Sequence, residues 1–194
     1  MANIKPIPKV KAPSHCKDFR PVGILAVLGK ALEKIVHDQL NECLLEYSVL
    51  HPLQSGFRKH CSTTTALVKV CDDIRKAIDG RKLTLLVLLD LSKAFDCVHH
   101  NLLLAKLKAI GCSQSVVCWF KSYLFNRMQR VIFDAEDMSD WALIPTGVPQ
   151  GSVLGPLLFC LYINDLPEVK YLNSVRLTFL LMTLRSMCIS ILTL

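Results

Sequence analysis

The sequence predicts an α+β fold, and three observations carry that expectation. Apolar residues recur at helical spacing in several separate stretches. A single run of seven residues, 83–89, apolar except for Thr84, breaks that spacing and is followed by Asp90. Two short strand-like runs flank an acidic turn, and no regular β-α-β alternation links these parts. The 194 residues are 52% hydrophobic and 20% charged, which suits one packed domain or a piece of a larger one and excludes a disordered tail. Twenty-three Lys and Arg against 16 Asp and Glu give a formal charge of +7, a balance that suits a polyanionic partner.

Residues 1–17 form a Pro-rich arm that carries Lys5, Lys9, Lys11 and Lys17 and no acid. It reads either as a solvated leader or as a strand or arm lying along a phosphate backbone. From 28 to 46, Leu28, Leu32, Ile35, Val36, Leu40, Cys43 and Leu44 mark one face of a helix. A second helix is expected over 63–79, with Ser62 as N-cap and Gly80 just past its end. The run 83–89 is too short to span a membrane and fits a strand covered on both faces. Asn101 is placed to cap a helix over 102–109 that Gly111 closes, and 116–125 reads as another helix. Residues 128–133 and 141–144 read as a hairpin around the acidic turn 134–140. The last helix spans 154–162, with Pro156 in its first turn, where a missing N–H does no harm.

Nine cysteines, an odd number with no C-x-x-C pair, read as reduced intracellular thiols, some of them buried as small hydrophobes. Pro6, Pro8 and Pro13 interrupt any secretory apolar segment after Met1. Two clusters, Cys97 with His99 and His100, and His60 with Cys61, raise a zinc site as the alternative. Neither has the spacing of a structural zinc site with a second ligand pair.

Three stretches carry candidate chemistry. Asp90 follows a buried strand, where side chains leave the core and face a cleft, and the bland alternative is a helix cap. Thr146-Gly-Val-Pro-Gln-Gly-Ser152 is a tight turn with free backbone N–H groups ahead of a helix, an arrangement that favours anions. In Gln54-Ser-Gly-Phe-Arg-Lys59, Arg58 and Lys59 precede a helix and suit phosphates; an ordinary solvated basic turn is the alternative.

Together, Gln54-Ser-Gly-Phe-Arg-Lys59, Leu88-Leu-Asp-Leu-Ser-Lys-Ala-Phe-Asp96 and Thr146-Gly-Val-Pro-Gln-Gly-Ser-Val-Leu-Gly-Pro156 resemble the reverse transcriptase domain of non-LTR, LINE-type retrotransposons. Asp18-Phe-Arg-Pro21, Leu28-Gly-Lys30 and Tyr162-Ile-Asn-Asp-Leu-Pro167 fit the same pattern. The resemblance runs from about residue 4 to about 175 and implies an incomplete right-hand polymerase, with fingers and an antiparallel palm sheet backed by helices. It implies RNA-directed DNA polymerisation by two-metal phosphoryl transfer, with Mg²⁺, dNTPs, an RNA template and a DNA primer. Asp90 matches the first catalytic aspartate and metal ligand. Phe95 matches a steric gate against the ribose 2′-OH, which also has a plain packing alternative. Gln150 and Gly151 match the turn that positions template and nucleotide, and Arg58, with Lys59 beside it, the cation on the triphosphate. Asp96 matches a position whose role is structural.

The chain departs from the family at His60-Cys61, where Gly-His is usual, and at His99, where Asp is frequent. The larger departure lies downstream. The family continues after Val175 into a strand, an Ala-Asp-Asp turn and a second strand, and those aspartates complete the metal site. Here no acid follows Glu168. A shifted reading frame is the expected source of the difference. Met182 has one codon, ATG, and threonine codons begin AC, so a third-base frame reads GAC, Asp, across Met182 and Thr183. One permitted encoding of the flanking residues completes Leu-Ala-Asp-Asp in that frame.

The expected organisation is therefore a basic arm over 1–17, a fingers-like helical region over 18–80, a partial palm over 81–176 and an aberrant hydrophobic tail over 177–194. Losing the second palm strand is expected to leave the Asp90 strand with an unpaired edge. The tail approaches the length of a membrane span, about 20 residues. Arg185 near its middle costs roughly 2.5–3.5 kcal/mol there, which favours an exposed oily end over an anchor. The expected activity is none. The alternatives are a non-catalytic binder of RNA or RNA/DNA hybrid and a retroelement fossil without function. No protein partner is inferred, and the location is intracellular, cytoplasm or nucleus.

Overall fold

The structure, a computed structural model, describes residues 1–52, 54–58, 61–91, 93–134, 136–166, 175–182 and 185–193, with the backbone alone for 87–90 and 175–193. It is a mixed α/β fold, with five helices and two sheets among the described residues. Two compact units account for it. One joins residues 1–43 to 95–159, the other 44–94 to 160–194.

The first unit is built on a four-stranded sheet of order β2-β1-β4-β5. Strand β1 (Ala2–Pro8) pairs antiparallel along its length with β2 (Phe19–Ile24), from Asn3 opposite Ile24 to Pro8 opposite Phe19. Its other edge takes β4 (Met128–Val131) in parallel over Ala2–Ile4 only. Pro6 and Pro8 thus lie beyond the second partner, where no ladder donor is missed. The basic stretch is therefore no free leader: Ala2 and Ile4 are buried. Strand β5 (Ala142–Leu143) completes the expected hairpin, with Met128 opposite Leu143.

Helices α1 (Val27–Glu46), α3 (His100–Ala109) and α4 (Gln114–Leu124) stand where periodicity predicts them. The face of α1 is a correction. Leu28, Leu32 and Ile35 are exposed, whereas Glu33 is only 5% exposed and shares the buried side with Leu40. A second correction concerns α3: its N-cap is His99, and Asn101 lies inside the first turn. Gly111 closes α3 with φ +91°, as expected. Leu103, Leu107, Phe120, Leu124, Leu157 and Leu158 form the core.

In the second unit, α2 (Thr63–Asp79) starts at Ser62, whose hydroxyl accepts from the Thr65 amide. Gly80 has φ −80°, and the left-handed residue is Arg81, at φ +53°. A three-stranded antiparallel sheet has the order β3-β7-β6. It comprises β3 (Thr84–Leu91), β6 (Val175–Met182) and β7 (Arg185–Thr193). One edge of β3 is filled, since β7 pairs with it from Thr84 opposite Thr193 to Leu91 opposite Ser186, while among the described residues β3 ends the sheet with no strand on its other side. The tail is a hairpin on the Asp90 strand. Nor is β3 covered on both faces throughout, since the successive residues Leu85 and Leu86 are both exposed. Among the described residues no helix is long and apolar enough to cross a membrane. The last helix is α5 (Gly155–Tyr162).

Candidate functional site

In the first unit the chain segments 95–100 and 146–153 are sewn together. The Val148 amide donates to the Phe95 carbonyl at 2.9 Å, and the Gly147 amide to the Val98 carbonyl at 2.8 Å. The Thr146 hydroxyl donates to the Asp96 carbonyl at 3.0 Å. His100 is buried and its Nε2 lies 2.7 Å from the Gly147 carbonyl, an acceptor, so Nε2 carries the proton. Gly147 has φ +95°, and a Cβ there would sit 2.9 Å from both the Cα and the carbonyl oxygen of Asp96. Only glycine allows this approach. Gly151, at φ +91°, packs equally closely on the Gly23 backbone, and the Gly23 amide donates to the Gln150 carbonyl at 3.0 Å.

Side chains complete the arrangement. Gln150 Nε2 donates to Asp96 Oδ1 at 2.8 Å. Phe95 packs its ring against Phe159, centroids 4.9 Å apart, so the expected sugar gate is half-buried against α5. Behind the turn, the buried Glu33 carboxylate accepts from the Val153 amide at 2.6 Å and from the Tyr123 hydroxyl at 3.0 Å. Trp119 stacks on Tyr123 and the Arg127 guanidinium lies 5.0 Å from its ring centre. Burial pushes the Tyr123 phenol well above its usual range. Sequence reasoning missed Glu33, because an acid on the flank of an apolar helix face gives no sign that a distant backbone amide awaits it.

The second unit holds the other expected residues. Arg58 Nη1 donates to the carbonyls of His51 and Gln54, at 3.3 and 3.2 Å, and so closes its own loop. Gln54 is 2% exposed. The Cys160 thiol donates to the Gly56 carbonyl at 3.5 Å, and burial pushes that thiol up to about 12. Asn164 accepts from the His51 amide and donates to the Val49 carbonyl, both at 2.8 Å. Lys59 and His60 lie outside the described residues.

Asp90 stands in β3 opposite Met187 of β7, which in turn faces Leu180 of β6. The last pair of the hairpin, Met182 with Arg185, is two rows further on. Among the residues of β3, β6 and β7, Asp90 is the single carboxylate. Phe95, Asp96, Gln150 and Gly151 thus come together in one unit, while Arg58 and Asp90 belong to the other.

A protein-family model described as "Reverse transcriptase (RNA-dependent DNA polymerase)" matches residues 7–179. The chain is 35% identical over 170 residues to the probable RNA-directed DNA polymerase from transposon BS of Drosophila melanogaster. It is 33% identical over 157 residues to the RNA-directed DNA polymerase from mobile element jockey of the same species. These matches cover 86% and 81% of the chain but 18% and 17% of the relatives, so the chain spans under a fifth of their length. Among solved structures, apo telomerase from Candida tropicalis superposes with a TM-score of 0.66 at 15% identity, over 98% of this chain and 43% of that one. That likeness bears on the fold alone.

Proposed function

Because the chain belongs to the reverse transcriptase family, as a domain of the LINE-type elements, we propose that it is a polymerase segment that grips nucleic acid but does not join nucleotides. The observation that carries this is the β6–β7 hairpin: it lies on the Asp90 strand, and it brings no carboxylate. Two Mg²⁺ ions bring four positive charges and need several carboxylates around them. One aspartate on a sheet otherwise of Leu, Ile, Val, Met, Ser, Thr, Phe, Cys and Arg does not fit that pair.

The remaining roles follow from the family pattern. In the working ancestor Asp90 holds metal, Phe95 crowds the sugar, Arg58 and Lys59 meet phosphate, and Gln150 and Gly151 touch template and nucleotide. The fingers-like region is 18–80 and the palm 81–176, and the setting is intracellular. Primer extension with the purified chain, a primed RNA template, dNTPs and Mg²⁺ is expected to give no product; template-dependent synthesis overturns the reading. Sequencing the DNA that encodes 175–194 tests its origin. The slipped frame requires GAT-GAC in the third-base register.

Retained binding has its own support. The net charge is +7, and the hydrogen bonds between 95–100 and 146–153 are intact. Binding of an RNA/DNA hybrid is expected without Mg²⁺, with a steep salt dependence, and equally after Asp90→Ala. Binding that needs both the metal and Asp90 overturns this part.

A further inference from the structure

We propose that Asp96 is a positioning residue that turns the Gln150 amide so that it offers a carbonyl to nucleic acid, and that this makes the turn a reader of ribose 2′-hydroxyls on an RNA strand. The proposal rests on the nucleic-acid binding argued above and deepens it.

An ionised carboxylate only accepts hydrogen bonds, whereas a glutamine amide has a donating end and an accepting end. With Asp96 Oδ1 2.8 Å from the Gln150 side-chain nitrogen, the NH₂ end is the one that faces Asp96. The reverse orientation would set two acceptors against each other. The carbonyl oxygen, fixed about 120° away on the same planar group, is then what Gln150 presents to a ligand. The fixing is strong because both partners sit on immobile backbone. Asp96 is held through its carbonyl by Thr146, and Gln150 through its carbonyl by Gly23. Gly147 leaves no room between the two segments. Both side chains are half-buried, so water competes only in part.

An outward acceptor discriminates between strands. Phosphates and ring oxygens of a nucleic-acid backbone are acceptors, and a DNA backbone has no donor within the chain. An RNA backbone has one at every residue, the 2′-hydroxyl. Base amino groups occur on both strands and give no preference. One hydrogen bond gained on RNA and left unmade on DNA corresponds to about five-fold in Kd.

The test is fluorescence anisotropy of the full chain with three labelled single strands of one sequence: RNA, DNA and 2′-fluoro RNA, which keeps the RNA sugar pucker but has no donor. The wild-type chain is expected to bind RNA about five-fold tighter than either of the others. Asp96→Ala is expected to bring the three affinities together at the level of DNA, which a merely structural role would not do, since lost fold weakens all three. Gln150→Leu gives the same result if Asp96→Ala does not fold. Equal wild-type affinity for RNA and 2′-fluoro RNA overturns the inference and leaves nucleic-acid binding standing. So does an RNA preference that survives in the variant that folds. If no single strand binds, the inference fails; if an RNA/DNA hybrid fails to bind as well, so does the underlying reading.

Discussion

The turn at 146–153 and the hairpin at 175–193 each meet a segment from the middle of the chain, but they are held in different ways. The turn depends on particular atoms: the Asp96 carboxylate, the His100 ring N–H, the Glu33 carboxylate and the missing Cβ of Gly147. The hairpin depends on a ladder that any backbone can make, eight rows deep on each side of β7. A slipped frame would replace nearly every side chain yet still deliver strand-forming Leu, Ile, Val, Thr, Phe and Cys. Such a segment keeps its shape and loses its chemistry. The turn could not survive the same treatment, because its shape is made of its chemistry.

The sharpest way to break this comparison is in β7, which has partners on both sides. Ser190 stands opposite Val87 on one strand and Leu177 on the other. Ser190→Pro removes a ladder donor from a central strand and is expected to cost about 4 kcal/mol in urea unfolding. Ser190→Thr keeps the backbone and changes only the side chain, so a shift within about 0.5 kcal/mol is expected. Equal effects from the two would show that β7 is not the middle strand.

The turn gives the opposite pattern, with side-chain changes alone sufficient to damage it. Gly147→Ala forces a residue with a Cβ to φ +95° and into overlap with the Asp96 backbone. About 3 kcal/mol is expected, read as a fall in melting temperature of roughly 6–12 °C for a chain of this length. Glu33→Ala is next, at about 2 kcal/mol, because it removes the buried carboxylate to which the part-buried Val153 amide and Tyr123 hydroxyl donate. Glu33→Gln, which keeps one carbonyl oxygen, is expected to recover about half of that loss.

How much of this was legible follows the same division. Helices announced themselves by spacing, so α2 and its Ser62 cap, α3, α4 and the 128–143 hairpin could be read directly. The Gln150 turn and the Asp90 strand were legible from their motifs. What could not be read was pairing over distance. Glu33 meets an amide 120 positions away, and Asp96 an amide group 54 positions away. No local pattern encodes either, so spacing alone puts Leu32 rather than Glu33 on the buried face of α1. The hairpin is hidden in the sequence for another reason. Its missing acids suggested a missing strand, although strands need only backbone and suitable side chains.

The smallest effect expected lies in the second unit, at Cys160 on α5. Its thiol is 1% exposed, and burial raises it from the ordinary value of 9.0 to about 12. In the unfolded chain the thiol ionises from about pH 9, while in the folded chain it holds its proton. The unfolded state therefore binds fewer protons above pH 9, and stability must fall as pH rises toward 12. This contribution is complete below pH 9 and gone above 12. About 1 kcal/mol of it is lost by pH 10. Melting temperatures of the wild-type chain and Cys160→Ala, compared from pH 8 to 11, separate it from the exposed thiols. The variant is expected to show a shallower alkaline decline. Parallel curves would mean that Cys160 meets water in the folded chain, and that the contact between α5 and the Arg58 loop is looser than its 3.5 Å hydrogen bond to Gly56 requires.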